Sequence, residues 1–246
     1  MIEVFPNAPI TEGLIDIRVQ LSSQTSLADL ENLHEKIKPQ YPGKRTRRMM
    51  HGTVEFKADE SVPVTKAQSD IVGYLFSSSD EKQVVQFRLD GFTFSRLRPY
   101  TRWEQVYPEA VRLWEIYRDG TSPVALTRLA VRYINSIEIP LKAFDYDDYF
   151  TAAPKIPSEL PQALQTFFTR IVVPFQERNA WAAIALAPSD IPDPVKTVII
   201  LDIDVFSQVN LAPGDSRIHE VFAALREIKN QIFFSSLTEK TKELFR

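Results

Sequence analysis

The sequence predicts an α+β protein of two similar lobes that arise from an internal duplication, each lobe a curved antiparallel sheet with helices packed on one face. Two observations favour this fold class. The order strand, helix, three strands, helix can be read in both halves of the 246-residue chain. In addition, "LDGFTFSRL" at 89–97 and "LDIDVFSQV" at 201–209 share Leu, Asp, Phe and Ser in register. We therefore expect lobes at 1–122 and 123–246, closely associated in one globular unit.

The first half begins with a strand and a capped helix. "EGLIDIRVQL" alternates as a strand does, and apolar residues then recur at helical spacing from Leu27 to Ile37. Ser26 and Asp29 have the spacing of a capping box, and Pro39 should end the helix. The predicted elements are strands at 12–21, 48–56, 71–79 and 82–98 and helices at 26–38 and 101–120.

The second half repeats this alternation with more loop. A strand, "LTRLAVRYINSIEIPL", is followed by the acidic and aromatic piece "FDYDDYF" and a proline-rich link. Three further strands and an amphipathic helix close the chain. The predicted elements are strands at 126–141, 164–176, 181–190 and 196–209, a helix from about 216, and a short helix within 235–245.

Composition narrows the class of protein. A hydrophobic fraction of 44% and a charged fraction of 25% are those of a globular protein with a sizeable core. A net charge of −3 argues against coating DNA or a membrane through overall charge. The chain has no cysteine, which excludes disulfides and thiolate chemistry. Since "MIEVFPNAP" does not resemble a signal peptide and no apolar run is long enough to span a bilayer, we predict a cytoplasmic protein without membrane partners.

The stretch at 82–98 changes character along its length. Phe92 and Phe94 share one face, which turns cationic at Arg96 and Arg98 before the chain reaches a proline. A continuous strand, by analogy with 196–209, would put these four residues on the face opposite the helices. A hairpin at Asp90 and Gly91 would put both phenylalanines on the same side as Phe87 and Leu89. We favour the continuous strand, which makes the four residues part of a ligand groove.

Arginines beside flat aromatic rings are the main candidate for a site. Arginine presents a rigid fork of donors that suits carboxylates and phosphates, and aromatic rings can stack on bases or on guanidinium groups. The same residues could instead form internal ion pairs and packed stems. The candidate ligand-binding residues are Phe92, Phe94, Arg96, Arg98, Tyr100, Trp103, Arg128, Arg132, Tyr133 and Asn135.

Two further clusters suggest other chemistry. The run "KRTRR" could contact phosphates or an acidic partner, or could be a solvated loop; its cations are Lys44, Arg45, Arg47 and Arg48. Asp202 and Asp204 lie two apart in a strand and so share a face, as a D-x-D metal site requires. They could equally be polar positions on the wet side of a sheet.

Four segments carry a resemblance to a known family. "FPNAPITEGLIDI", "GFTFSRLRPYTRWEQ", "RYINSIEIP" and "ILDIDVF" occur in that order. Together they are similar to a family of uncharacterised bacterial proteins that is distributed sporadically among genomes, and the resemblance extends to the final "SSLTEKTKELF". It implies no activity, cofactor or catalytic residue. Its sporadic distribution resembles that of accessory genes of defence or toxin–antitoxin systems.

We therefore expect a non-enzymatic binding protein without a cofactor, which engages a protein or peptide through an arginine- and aromatic-lined sheet face. Compact catalytic motifs are missing from the sequence, and arginine and aromatic residues dominate interface hot spots. The first alternative is nucleic-acid or nucleotide binding through the same face and "KRTRR". The second is a metal-dependent phosphohydrolase or transferase that uses Asp202 and Asp204. Two lobes could complete the surface alone or pair again as a dimer.

Overall fold

A single nine-stranded antiparallel sheet organises the chain. The structure is a computed structural model, and it describes residues 3–55, 64–162, 164–191, 193 and 195–246. The strand order is β2-β3-β4-β5-β1-β6-β9-β8-β7. The strands are β1 Ile10–Gln20, β2 Gly43–Glu55, β3 Val64–Ser77, β4 Gln83–Arg88, β5 Gly91–Leu97, β6 Ala125–Ile139, β7 Thr169–Phe175, β8 Ala180–Pro188 and β9 Thr197–Leu211.

Helices pack on one face of this sheet, as the sequence predicts. They are α1 Leu27–Asn32, α2 His34–Ile37, α3 Trp103–Thr121, α4 Arg217–Ser236 and α5 Glu239–Glu243, with 3-10 turns at Tyr146–Asp148 and Gln176–Arg178. The capping box of Ser26 and Asp29 is confirmed. Across the described residues, no helix is both long and apolar enough to span a membrane.

The chain is mixed α and β as predicted, and its strands form one continuous sheet. β1 and β6, the first strands of the two halves, pair antiparallel at the centre. In the first half, β5, β4, β3 and β2 follow outward from β1. In the second half, β9, β8 and β7 follow outward from β6. The halves differ between their first two strands, where the first half has α1 and α2 and the second has only a 3-10 turn among the residues described. The internal duplication and the division into two similar lobes stay predictions.

The local match between 89–97 and 201–209 does not correspond to a shared placement in the sheet. Phe94 and Phe206 align in that match, yet Phe94 lies in the helix-covered core while Phe206 lies beneath the Arg128 guanidinium on the opposite face. A slip of one residue exchanges the two faces of a strand. The four shared residues therefore do not mark structurally equivalent positions in the two strands.

The prediction of a continuous strand over 82–98 is wrong, because the chain turns at Asp90 and Gly91. β4 and β5 form a hairpin in which Phe87 pairs with Phe92. Gly91 has a φ of 153°, and a Cβ at this position would lie 2.2 Å from the carbonyl oxygen of Ile17. Only glycine fits both the backbone conformation and the close approach of β1.

The run "KRTRR" belongs to an edge strand rather than to a solvated loop. β2 begins at Gly43, earlier than the predicted strand at 48–56, whose last residue lies outside the described part of the chain. β2 pairs only with β3 in the strand order. The start of the run thus has regular alternation, which sends Lys44 and Arg47 to opposite faces.

The hydrophobic core lies between the sheet and the helices. Successive strand residues alternate between this core and the other side of the sheet. On β1, for example, Ile15 and Ile17 are each 2% exposed and face the helices. We call the other side the open face; at its centre it carries Asp16 and Arg18 from β1, Arg128 and Arg132 from β6, and Asp202 and Asp204 from β9.

Candidate ligand-binding face

Asp16 is the centre of an ion-pair network on the open face. Its side chain is 8% exposed, and it accepts hydrogen bonds from Thr93 Oγ1 at 2.7 Å and Arg88 Nη2 at 3.0 Å. Arg18 Nε and Arg128 Nη1 each donate to it at 3.2 Å. Burial acts to raise the pKa of Asp16, but the charges of Arg88 and Arg18 and the hydrogen bonds outweigh it, so the pKa lies below its usual value.

Arg88 is the most enclosed cation of this network. It is 3% exposed and donates through Nε to Asp90 at 2.8 Å, in addition to its bond with Asp16. Its Nη1 donates to Thr93. Because every one of these partners is an acceptor of fixed position, the guanidinium is held rigidly beneath the open face.

Asp202 and Asp204 lie on one face of β9, as the sequence predicts, and an arginine of β6 holds each of them. Arg128 Nη2 donates to both oxygens of Asp204, at 2.9 and 3.1 Å. Arg132 Nε donates to Asp202 at 2.8 Å. Burial raises the pKa of Asp204 above its usual value despite the nearby charges of Arg128 and Arg132.

The ion pairs of Asp202 and Asp204 with arginine compete with the metal site predicted at these two aspartates. Forks of hydrogen bonds from arginine occupy the carboxylate oxygens that a divalent cation would need. Across the described residues, no group of three or more histidine, cysteine, aspartate or glutamate side chains is arranged to hold a metal. The metal-dependent alternative stays a prediction, and a cation at Asp202 and Asp204 would have to displace two arginines.

Arg47 is the exception to this pairing. Its Nη1 donates to Gln86 Oε1 at 2.7 Å, and no carboxylate of the described chain lies within ion-pair distance of it. Burial first, and then the like charge of Arg88, lower its pKa from the usual value, against the smaller opposing effect of Asp90. The guanidinium of Arg47 is therefore partly removed from water, lies near the like charge of Arg88, and has no carboxylate partner among the described residues.

A cavity of about 710 Å³ lies on the open face above this network. We call it the arginine cavity. Its lining contains five arginines and two aspartates, so its charge is positive although the chain as a whole is acidic. The charged residues that line it are Asp16, Arg18, Arg47, Arg88, Arg128, Arg132 and Asp204.

Aromatic side chains adjoin the arginine cavity on the side of β8. The Arg128 guanidinium carbon lies 4.6 Å from the centroid of the Phe206 ring. Phe206 in turn stacks on Trp181, with centroids 6.0 Å apart and planes 20° apart. An arginine and aromatic surface of the predicted kind therefore exists on the open face, although Phe206 and Trp181, not Phe92 and Phe94, supply its rings.

Phe92 and Phe94 were expected in the ligand groove, and that expectation is wrong. They are 0% and 1% exposed and lie on the helix-covered side. Phe92 packs edge-on against Trp114 of α3, with centroids 6.0 Å apart. The hairpin at Asp90 and Gly91 is the cause, because it returns β5 with its phenylalanines on the side of Phe87. Arg96 lies on this side too and lines a small cavity with Tyr41 and Glu109.

The remaining predicted residues gather in a different cavity, beneath α4. Arg98, Tyr100, Trp103, Tyr133 and Asn135 all line it. Of the ten candidate ligand-binding residues, only Arg128 and Arg132 line the arginine cavity.

The cations of "KRTRR" do not form one cluster. Lys44 pairs with Glu31 of α1 and lies over the ring of Tyr74. Arg47 lines the arginine cavity, whereas Arg45 and Arg48 are exposed.

Sequence reasoning missed Asp16, Arg18 and Arg88, which form the centre of the site. Asp16 and Arg18 could have been found from the strict alternation in "IDIRV", where a charged residue follows each isoleucine and so lies on the opposite face of the strand. An alternating strand at the centre of a sheet, between two others, brings its polar residues next to the polar residues of its neighbours.

Comparison with known proteins adds no family. No protein-family model matches the chain, and no curated protein matches it.

Proposed function

We propose that the chain is a non-enzymatic binding protein whose open face holds an acidic segment of a protein or peptide partner. Carboxylates of the partner bind in the arginine cavity, and its apolar side chains pack beside Phe206 and Trp181. An accessory role in a bacterial defence or toxin–antitoxin system belongs to this proposal only through the family resemblance of the sequence. The cytoplasm is its proposed location.

The observation that carries the proposal is the unneutralised charge of Arg47. Arg88 and Arg128 already have carboxylate partners at hydrogen-bond distance, whereas Arg47 has only the amide of Gln86. A carboxylate bound at Arg47 would supply the missing countercharge and form a forked, charge-assisted pair. Because Gln86 already holds the Arg47 guanidinium and aspartates hold Arg88 and Arg128, little side-chain entropy is lost when the ligand binds.

The mixed charge of the open face favours a peptide over a nucleic acid. Four aspartates, namely Asp16, Asp90, Asp202 and Asp204, alternate with the arginines across the strands. A continuous phosphate backbone would run past these carboxylates and be repelled. A peptide can place acidic groups at the surplus cations and neutral groups elsewhere.

One observation supports nucleic-acid or nucleotide binding as a second candidate. The stacked pair of Phe206 and Trp181, with Arg128 over the Phe206 ring, has the composition of a platform for bases. A single nucleotide could place its phosphate at Arg47 and its base on this pair.

A titration with defined probes tests the proposal. A fluorescent peptide of alternating glutamate and glycine, its lysine counterpart, and a single-stranded oligothymidylate are each titrated with the protein at low and at moderate salt. We expect the glutamate peptide to bind, the lysine peptide not to bind, and Arg47→Gln to weaken binding by about tenfold. Arg178→Gln is the matched control, because Arg178 pairs with Glu227 of α4 and lies away from the open face.

The outcomes separate the candidates. Tighter binding of the oligothymidylate than of the glutamate peptide, lost equally in Arg47→Gln, would replace the peptide proposal with the nucleic-acid one. Equal affinity of the wild type and Arg47→Gln for the glutamate peptide would contradict the assignment of the arginine cavity.

A further inference from the structure

A second cavity lies on the other side of the sheet, beneath α4, and has a volume of about 580 Å³. We call it the α4 cavity. Its walls come from the segment that precedes β1, the turn before α3, strand β6 and helix α4. The volume is within the range of pockets that enclose small molecules. Its apolar and aromatic lining includes Phe5, Ile10, Tyr100, Trp103, Phe233 and Phe234.

Two cations of this cavity, Lys229 and Arg102, have no carboxylate partner among the described residues; Arg102 is exposed, whereas Lys229 is partly buried. Its Nζ lies 4.0 Å from the centroid of the Tyr133 ring and donates to Asn230 Oδ1 on its own helix. The two glutamates that line the cavity are already engaged: Glu104 accepts from Arg226 at 2.8 Å, and Glu3 accepts from Arg246 at 2.9 Å.

A hydrogen-bond acceptor without a partner lies in the same wall. Asn135 is 1% exposed and lines the cavity. Its Nδ2 donates to the carbonyl of Leu201 at 3.0 Å, while its Oδ1 is buried without any hydrogen-bond partner among the described atoms. A buried acceptor of this kind is costly unless a ligand or a water supplies a donor.

Aromatic rings also line the α4 cavity. The hydroxyls of Tyr100 and Tyr133 hydrogen-bond to each other at 2.7 Å, and their rings meet edge to face with centroids 5.4 Å apart. The Trp103 ring stacks on Tyr107 at 4.7 Å. The cavity thus combines a lysine that lacks a carboxylate partner among the described residues, an unsatisfied acceptor, and flat apolar walls.

We propose that the α4 cavity binds a small aromatic carboxylic acid, with the carboxylate on Lys229 and a hydroxyl of the ligand donating to Asn135 Oδ1. The net charge of the lining supports an anion, since four cations face two engaged glutamates. This site is separate from the arginine cavity, because the two lie on opposite sides of the sheet and share no lining residue.

The affinity depends on the protonation of Lys229. Burial, with a smaller contribution from the charge of Arg226, lowers the pKa of Lys229 to about 7. The charged and titratable groups that line the cavity with it are Arg226 on its own helix, Tyr133 on β6, Arg98, Tyr100, Arg102 and Glu104 in and beside the turn before α3, and Glu3 before β1. Only the ammonium form attracts a carboxylate, so the affinity must fall as the pH rises.

Calorimetric titration with 4-hydroxyphenylacetate and its neutral amide, 4-hydroxyphenylacetamide, tests the proposal. At about pH 6 we expect the acid to bind at least about tenfold more tightly than the amide. We expect this preference to shrink by about pH 8.5, which lies above the pKa of about 7 that burial gives Lys229. Lys229→Met should lose the preference, because its affinity for the acid should fall toward its affinity for the amide.

Two controls make the test specific. Lys38→Met changes an exposed lysine that pairs with Glu35 on α2, and it should bind the acid as the wild type does. Arg47→Gln should also bind the acid normally, because Arg47 lines only the arginine cavity. If Lys229→Met does not fold, the affinities of the wild type for the acid and the amide, compared across pH, test the proposal without the variant.

Equal binding of acid and amide, or an affinity of Lys229→Met for the acid equal to that of the wild type, would overturn the proposal. So would the failure of 4-hydroxyphenylacetate, phenylacetate and indole-3-acetate alike to bind at millimolar concentration.

Discussion

Asp16 and Arg88 form a buried ion pair at the centre of the nine-stranded sheet, with Arg88 Nη2 3.0 Å from Asp16 Oδ1 and side chains 4% and 8% exposed. The two residues come from different strands, β1 and β4, which β5 separates. Thr93 of β5 bridges the gap by donating to Asp16 at 2.7 Å. This pair holds Arg88 in the lining of the arginine cavity and should contribute to the stability of the fold.

Asp16→Asn should destabilise the protein severely. It leaves Arg88 buried without its carboxylate, and removing one partner of a buried pair costs about 3–5 kcal/mol. The free energy of unfolding in urea measures the effect, with Asp80→Asn as the exposed control. The double variant Asp16→Leu/Arg88→Met should recover much of the loss. A single variant no less stable than the control would contradict the account.

The pH dependence of stability should carry the signature of Asp16. Its pKa is lower in the folded state than the ordinary value of 3.8. The folded state therefore gains stability from the ionised group at pH values above 3.8, and this gain disappears as the pH falls through the folded pKa. Urea unfolding of the wild type across acidic pH should show that loss. Asp16→Asn should have a flatter profile, and an equally steep one would exclude Asp16 as the source.

Gly91→Ala tests the hairpin between β4 and β5. An alanine at this position would have to adopt the φ of 153° found at Gly91, and its Cβ would lie 2.2 Å from the Ile17 carbonyl oxygen. Together these effects should lower the free energy of unfolding by about 1–3 kcal/mol or more. Gly214→Ala is the matched control, since a Cβ at Gly214 meets nothing within 4 Å. Equal melting temperatures for the two variants would argue against the turn at Gly91.

Phe92→Ala distinguishes a core residue from a binding residue. Phe92 is fully buried against Trp114 and Tyr117, so its removal should cost about 3–5 kcal/mol of unfolding free energy. Phe168→Ala, at a side chain that is 70% exposed, should change stability by no more than about 0.5 kcal/mol. Unchanged stability of Phe92→Ala would restore the ligand groove predicted from the sequence.

Much of the architecture could be predicted because strand alternation and helix capping are local properties. The capped helix at Ser26, the strand at 126–141 and the final amphipathic helix all follow from patterns within a few residues of sequence. The pairing of β1 with β6 could not be read in this way. It joins residues more than a hundred positions apart, such as Ile15 and Val131, and depends on tertiary packing.

The site was harder to predict because the choice of face depends on one turn. The dipeptide Asp90-Gly91 is a recognised hairpin signal, yet the similarity to 201–209 argued for a continuous strand. The wrong choice moved Phe92 and Phe94 to the wrong side of the sheet. The candidate set also mixed the two faces of β6: Arg128 and Arg132 lie on the open face, whereas Tyr133 and Asn135 face the helices.

The central claim, that the open face binds an acidic protein segment, is tested most directly by capturing the partner from the native host. The wild type, Arg47→Gln and Arg178→Gln are each incubated with nuclease-treated extract. Bound proteins are then cross-linked and identified by mass spectrometry. We predict that the wild type and Arg178→Gln retain one stoichiometric protein, cross-linked through an acidic segment to residues of the open face, and that Arg47→Gln loses it. Retention of the same protein by Arg47→Gln, or cross-links confined to the helix-covered side, would contradict the account.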